Sequence, residues 1–548
     1  MQKKSYDYII IGAGSAGCTL ANRLTENGNT RVLLLEAGGS DRDMMIKVPL
    51  GWAKMFEWRL HDWMYFTEPE AKLNNRRIEC ARGKVIGGSS SINAMAYVRG
   101  HWRDYERWAE SGLKDWSFAN ALPYFKKSES WEGGESPWRG GSGPLSTRFS
   151  SFHDPIVESW LDAGKEMGLG YSEDFNGYQQ EGLSRVQSTI RGGHRCSTAV
   201  AYLRPAWERL NLDLIQEALV NRILMNGSRA VGVEYQRHGQ TYEVHADCEV
   251  ILAGGVINSP QVLMLSGIGD PEQLKANDIP VKVGLPGVGR NLQDHLSVAL
   301  DFSRIGTGTV HEHMRLDRLT YDFATAWLNG TGFATDIPGG WGGFLKAMPD
   351  AKIPDIQIIF RAAPLGVGPY FKPFKNPIPD GCALRAILIH PESRGRIELV
   401  SKDPAVKVKI HQNFLATERD GQTLRAGMRL IRELGQQSAL KKDIGGEIRP
   451  GRDKASDEEL NAFIANTAAT AHHPLGTCKM GIDSDEMAVV DPELRVRGVE
   501  GLRVVDASVM PDLIGGNINA PVIMIAERAS DLISGRPTLP PQHVEMAG

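Results

Sequence analysis

Tyr8-Ile9-Ile10-Ile11-Gly12-Ala13-Gly14-Ser15-Ala16-Gly17-Cys18 decides the fold class. Its unbroken apolar run reads as a strand buried on both faces. Glycines follow at GxGxxG spacing, and residues 18–24 carry a helical pattern. Gly12 permits the tight turn, Gly14 lets backbone approach a pyrophosphate, and Gly17 lets the helix pack closely on the strand. The helix N-terminus then presents free N–H groups and partial positive charge to phosphate. A second apolar strand, 31–35, ends at Glu36-Ala37-Gly38-Gly39. Glu36 stands roughly twenty residues beyond the glycines, where a carboxylate accepts hydrogen bonds from an adenosine ribose. Alone, GxGxxG signals little more than a tight turn. With strand, helix and acidic residue in place it predicts a dinucleotide site on a parallel β-α-β sheet, without separating FAD from NAD.

Outward from this unit, residues 218–224, 230–235 and 250–253 read as strands, and Gly and Pro punctuate 259–294. Residues 353–360, 383–390, 395–400 and 406–410 are strand-rich, which suits an antiparallel sheet outside the nucleotide-binding core. Residues 458–470 look helical. Residues 364–379 are rich in Pro and Gly and carry Tyr370, Phe371 and Phe374. A surface loop is the plainer reading of them and a substrate lid the sharper one. Residues 537–548 read as an extended tail.

The bulk numbers exclude several classes. The chain has 548 residues, 41% of them hydrophobic and 23% charged, with net charge -4, all ordinary for a globular protein with a sizeable core. No basic block marks a nucleic-acid surface. Six cysteines, at 18, 80, 196, 248, 382 and 478, show no CxxC spacing, so neither a disulfide framework nor a metal site is expected. A reduced, cytoplasmic setting follows. Met1-Gln2-Lys3-Lys4 and the apolar run after it imitate a signal peptide, but the run is short and ends in glycines. Nothing approaches the ~18 apolar residues of a membrane span. No integral membrane segment is expected, and peripheral membrane association is left open.

Three further segments narrow the reading. They are Gly83-Lys84-Val85-Ile86-Gly87-Gly88-Ser89-Ser90-Ser91-Ile92-Asn93; Gly255-Val256-Ile257-Asn258-Ser259-Pro260, continuing to Ser266-Gly267-Ile268-Gly269; and His473-Pro474-Leu475-Gly476-Thr477 with Gly516-Asn517-Ile518-Asn519-Ala520-Pro521. Shorter matches are 287–295, ending Asp294-His295, and His390-Pro391-Glu392-Ser393-Arg394-Gly395. In this order they resemble the glucose–methanol–choline (GMC) family of FAD-dependent alcohol oxidoreductases, over about residues 7–533. Valine at 256 replaces the small residue usual there, a matter of local packing. Ile92 stands where some relatives carry a histidine bonded to the flavin, so the FAD is expected to be noncovalent.

The resemblance implies an α/β fold. Its FAD-binding domain, a Rossmann-like parallel sheet, spans 1–148, 193–300 and 470–548. A second, α+β substrate domain on an antiparallel sheet spans 149–192 and 301–469. It implies cofactor contacts from Gly12, Gly14, Ser15, Ala16 and Gly17, from Glu36 and Ala37, and from Gly87, Ser90, Asn93 and Ala94. Val220 lies beside the adenine, Asp506 and Ala507 by the ribityl and phosphate part, and Asn519 and Pro521 by the isoalloxazine. His473 is the implied base and Asn517 its partner on the substrate oxygen.

That chemistry suits these residue types. Oxidising a primary alcohol to the aldehyde removes a hydride, which a flavin takes at N5, and a hydroxyl proton. Histidine, with an unperturbed pKa of about 6.5, is fitted to take the proton. His472 is the rival, but the family histidine directly precedes the proline. The partners expected are a small-molecule alcohol and oxygen or another electron acceptor, for a monomer or homodimer. Aromatics in 364–379 and around Trp341 suit an aryl or aliphatic alcohol better than a highly charged one. The alternatives are a lyase or photoenzyme on the same scaffold, an NAD-dependent dehydrogenase resting on GxGxxG and Glu36 alone, and a non-catalytic flavoprotein.

Overall fold

The isoleucine-rich opening becomes the central strand, Ser5–Ile11, of a seven-stranded sheet. The computed structural model describes residues 5–547, so Met1 to Lys4, half of the signal-peptide comparison, and Gly548 of the tail lie outside the described residues. Ser5–Ile11 runs parallel to Val32–Leu35 on one side and to Gln240–Leu252 on the other. Leu212–Ile215 and Leu502–Val504 add further parallel strands. All four residues of Val32–Leu35 are buried, as a strand covered on both faces requires. The expected strands near 218 and 230 are present as Leu219–Asn226 and Arg229–Arg237, but they form an antiparallel meander feeding Gln240–Leu252. Its second turn, His238-Gly239, has positive φ at both residues (49° and 75°), the twist that matches a two-residue hairpin. Helix Ser15–Leu24 starts at the glycine turn and packs on Asn519–Ile533.

The second sheet also has seven strands, all antiparallel. Its order is Ile444–Arg449, Leu296–Arg304, Gly381–Leu388, Ile356–Arg361, Trp341–Leu345 and Gly182–Arg185, with Ala469–Thr470 beside the start of Leu296–Arg304. The expected antiparallel sheet thus includes the strands read near 353 and 383. Those read near 395 and 406 form a separate ribbon, Arg396–Glu398 with Lys409–His411. The helix expected over 458–470 is Asp457–Thr467, started by a Ser456/Glu459 capping box. Its expected last residues form the strand Ala469–Thr470, which leads directly into His472 and His473. The boundaries expected at 300 and 469 fall inside strands of this sheet.

Residues 364–379 form a surface loop. The Phe371 and Phe374 rings stack at 5.8 Å and are exposed, Phe374 at 85%. Trp341 is buried in the core against Phe360, with ring centroids 5.3 Å apart. The tail after 537 lacks regular structure but is pinned by hydrogen bonds from Leu539 N to Tyr124 Oη and from Ala547 N to the Tyr178 carbonyl, both 2.9 Å.

Candidate active site

A cavity of about 820 Å³ extends from the glycine turn to His473. Two glycine loops build its first end. A Cβ on Gly88, whose φ is +53°, would stand 2.7 Å from Gly14 Cα, so the turn and the second glycine loop touch backbone to backbone. Helices Ser15–Leu24 and Asn519–Ile533 both begin here without a side-chain cap, leaving their first N–H groups free. Ser15 Oγ donates to Asn519 Oδ1 at 2.7 Å and ties the two helix starts together. Glu36 accepts from Ala13 N and Gly38 N, each at 2.8 Å. Burial pushes its carboxyl up to about 7 against those two bonds and the pull of Lys84. Each oxygen keeps lone-pair capacity for a ribose hydroxyl. The uncapped helix starts, the close-packed glycines and this carboxylate fit a dinucleotide.

Most residues expected to touch cofactor do line the cavity. Gly12, Gly14, Ser15, Ala16, Glu36 and Ala37 line the turn end. Asn93, Ala94, Val220, Asp506, Ala507 and Asn519 follow along the wall. Four do not. Gly17 is beneath the turn, where a Cβ would meet Gly12 O at 1.8 Å, so its task is packing. Gly87 is displaced from the wall by Gly88 and Ser89. Ser90 turns inward, donating to Gly87 O at 2.6 Å and pairing with Thr198 Oγ1 at 2.8 Å. Pro521 is buried in the first turn of its helix, with Ile518 and Val522 on the wall instead. Ile92 is also on the wall and carries no atom able to bond a flavin covalently.

His473 stands at the other end, its ring held by a directional chain. His295 Nε2 lies 3.0 Å from the Ile389 carbonyl, which can only accept, so His295 carries its proton on Nε2. His295 Nδ1 is therefore a lone pair, and it takes the Nδ1–H of His473 at 2.9 Å. This leaves His473 Nε2 unprotonated, facing the amide of Asn517 at 2.9 Å. Gln357 Nε2 donates to Asn517 Oδ1 at 3.4 Å, which sets the amide with its Nδ2 toward His473. Asp294 Oδ1 accepts from the His473 backbone N–H at 2.8 Å, and its Oδ2 takes the Thr470 hydroxyl. Burial holds the His473 imidazole well below its ordinary value, helped by His295, Arg82, His472 and Arg385. A neutral base is thereby maintained.

His472 is a wall residue of another kind. Its φ is +64°, its ring meets Phe56 edge-on at 5.2 Å, and its carbonyl accepts from Arg82 at 2.6 Å. His295, Gln357 and Arg385 were not identified from sequence as site residues. His295 was visible only as the end of a family match, while the other two sit in strands without any motif.

The GMC oxidoreductase family pattern matches the chain over residues 6–297 and again over 391–526. The chain is 42% identical over 558 residues to mitochondrial choline dehydrogenase of Mus musculus, covering 99% of this chain and 91% of that protein. It is 43% identical over 554 residues to oxygen-dependent choline dehydrogenase of Vibrio vulnificus, covering 98% and 96%. Among solved structures, pyridoxine 4-oxidase from Mesorbium loti superimposes with TM-score 0.86 at 31% identity, covering 97% of this chain and all of that one. Formate oxidase of Aspergillus oryzae gives TM-score 0.88 at 27% identity, covering 98% and 99%.

Proposed function

The chain belongs to the GMC oxidoreductase family and is an FAD-dependent oxidoreductase acting on CH–OH groups; from that premise we propose that His473 is the base that takes the hydroxyl proton of a primary alcohol. Bound FAD supplies the two-electron acceptor for the carbinol hydride. The observation that carries the reading is the chain from Ile389 O through His295 to His473, which leaves Nε2 unprotonated on the cavity side, where its lone pair accepts from Asn517. A substrate hydroxyl placed at Nε2 takes the position of the Asn517 N–H. Asn517, kept in orientation by Gln357, then donates to the substrate oxygen and holds it while the proton leaves. His473 becomes an imidazolium only as the reaction proceeds, with Nδ1–H already bound to His295. The cofactor contacts expected from sequence remain proposals for the residues on the wall, with Ser89 replacing Ser90 and Ile518 replacing Pro521.

The two-part division is also a proposal, supported by the two sheets, with its limits moved so that Leu296–Arg304 and Ala469–Thr470 stay whole in the substrate part. No helix among the described residues is long and apolar enough to cross a membrane. Six unpaired thiols, five of them buried, support a reducing compartment, which we read as the cytoplasm. Reduced enzyme passes its electrons to oxygen or another acceptor. None of the relatives named above is a lyase.

Anaerobic mixing of the holoenzyme with a panel of primary alcohols is expected to bleach the oxidised flavin absorbance. A panel without bleaching overturns the reading. The tautomer argument has its own test. His295→Phe removes the acceptor for His473 Nδ1–H and is expected to lower the rate of flavin reduction at least roughly tenfold with FAD retained. His295→Asn, whose amide oxygen can accept the same proton, is expected to recover part of it. Equal rates in wild type and His295→Phe would remove His295 from the account.

A further inference from the structure

We infer that the alcohol oxidised here carries a carboxylate, held by Arg385 together with Arg361 on the face of the antiparallel sheet that walls the cavity. This rests on the alcohol oxidation proposed above and names its substrate class.

Arg385 is in the middle of strand Gly381–Leu388, in register between Ala299 and Ile359, and it lines the cavity. Among the described residues its side chain makes no hydrogen bond and no ion pair, and burial alone pushes its guanidinium down. Arg361 lies one strand over on the same face, in register with Ala383. It donates once, to the Pro364 carbonyl at 2.8 Å. Burial and the charge of Arg385, against the pull of Asp301, bring Arg361 down to about 10. Two guanidinium groups that feel each other in a low-dielectric wall stay charged and call for an anion.

Asp301, in register with Ala383, pulls on Arg361 but is itself engaged by Arg449 at 2.6 Å, and no carboxylate among the described residues pairs with Arg385. Asp336 is held by Arg148 at 3.2 Å and Ser151 N at 2.6 Å, and Glu79 by Arg59 at 2.9 Å. Asp506 accepts from Gly255 N, Ser259 Oγ and Ser508 N, and Glu36 is at the turn end. The cofactor phosphates do not explain the pair either, because the uncapped helix starts serve them. Arg385 belongs to the other end, where its charge is felt by both His472 and His473. The wall beside it includes Ala299, Ile359 and Ile387, an apolar stretch that suits the carbon skeleton between an anionic group and a carbinol. A planar carboxylate matches a guanidinium fork with two parallel hydrogen bonds. A quaternary ammonium alcohol such as choline would instead bring a third cation beside these two guanidinium groups.

The test uses wild-type holoenzyme and Arg385→Leu, with Arg385→Lys as the charge-keeping variant. A series of ω-hydroxy acids, their methyl esters and choline are compared by the rate of anaerobic flavin reduction. The oxidised enzymes are also titrated with 4-methylbenzoate, an unreactive carboxylate, following perturbation of the flavin absorbance, and their flavin midpoint potentials are measured. The expected results are a preference of about 10- to 100-fold in kcat/KM for one hydroxy acid over its ester, weaker turnover of choline, and loss of both preference and titration in Arg385→Leu with partial return in Arg385→Lys. A preference for choline, or one for the acid that survives Arg385→Leu, overturns the proposal. So does a variant that slows all alcohols equally while its midpoint potential moves, which would assign Arg385 to the flavin. If no alcohol reduces the flavin, the alcohol reading fails instead, and the 4-methylbenzoate titration still decides whether Arg385 is an anion site.

Discussion

His473→Ala is expected to keep its FAD and to lose about 100- to 10,000-fold in the rate of flavin reduction, the range for a positioned general base. Retention follows from where the imidazole stands. The phosphate end of the cavity is built from glycine turns and helix starts, and alanine at 473 keeps the backbone N–H that Asp294 holds at 2.8 Å. The loss follows from the tautomer, since no other group in the chain of hydrogen bonds offers an unprotonated nitrogen at that point. His295 cannot replace it, because its lone pair points at residue 473 and its N–H is engaged by Ile389. The control is His472→Ala, which removes a ring packed edge-on to Phe56 but leaves the carbonyl that binds Arg82. Stopped-flow reduction, scaled to flavin content, reads both variants. A His473→Ala enzyme reduced at the wild-type rate would end the assignment, and a larger loss in His472→Ala would transfer it to the neighbouring ring.

The parts legible in the sequence are those whose chemistry is local. A glycine turn between an apolar strand and a helix carries its own signature, and Glu36 follows at a distance fixed by the length of one β-α-β unit. His473 was found through its proline and the motif around it. What stayed hidden depends on register. His295 gains its role only because the strand beginning at Leu296 lies beside Gly381–Leu388, which brings the Ile389 carbonyl within 3.0 Å of its ring. Arg385 reads in sequence like any arginine on a solvent-facing strand position, and only pairing with Ala299 and Ile359 turns it toward the cavity. Trp341-Gly342-Gly343 went unread as a strand because glycine is depleted in strands, yet its pairing with Ile356–Arg361 buries all five residues of Trp341–Leu345. The preference for an aryl or aliphatic alcohol over a highly charged one loses its footing for the same reason. It relied on aromatic residues that fold into a core and an exposed loop, while the charges that line the cavity were dispersed along the chain. Gly87 and Ser90 show the finer version, since in the short helix Gly88–Ser91 a one-residue step decides which side chain faces the cavity and which faces Thr198.

Gly17→Ala is expected to produce the other large effect, a protein purified without most of its flavin. Intrinsic propensity alone points the opposite way, because alanine in a helix is favoured over glycine by about 1 kcal/mol. Gly17 is in the first turn of helix Ser15–Leu24 and its φ is not in the left-handed region, so its conformation carries no penalty for a side chain. Contact decides. The added Cβ would stand 1.8 Å from Gly12 O and 3.0 Å from Gly12 C, both backbone atoms of the turn itself. Neither can rotate away, so the helix must lift by more than an ordinary packing adjustment, at a cost of about 1–3 kcal/mol or more. Lifting it withdraws the free N–H groups from the phosphates and strains the Ser15–Asn519 bond at 2.7 Å that joins the two helix starts. Gly28→Ala separates this from a general cost of losing a glycine. Nothing lies within 4 Å of its Cβ and its φ is +74°, so it should cost about 1–2 kcal/mol in backbone strain and leave the flavin in place. The ratio of flavin to protein absorbance after purification, with thermal unfolding measured with and without added FAD, reads both variants. Wild-type flavin content in Gly17→Ala would mean that the turn does not hold the cofactor in the way its geometry requires.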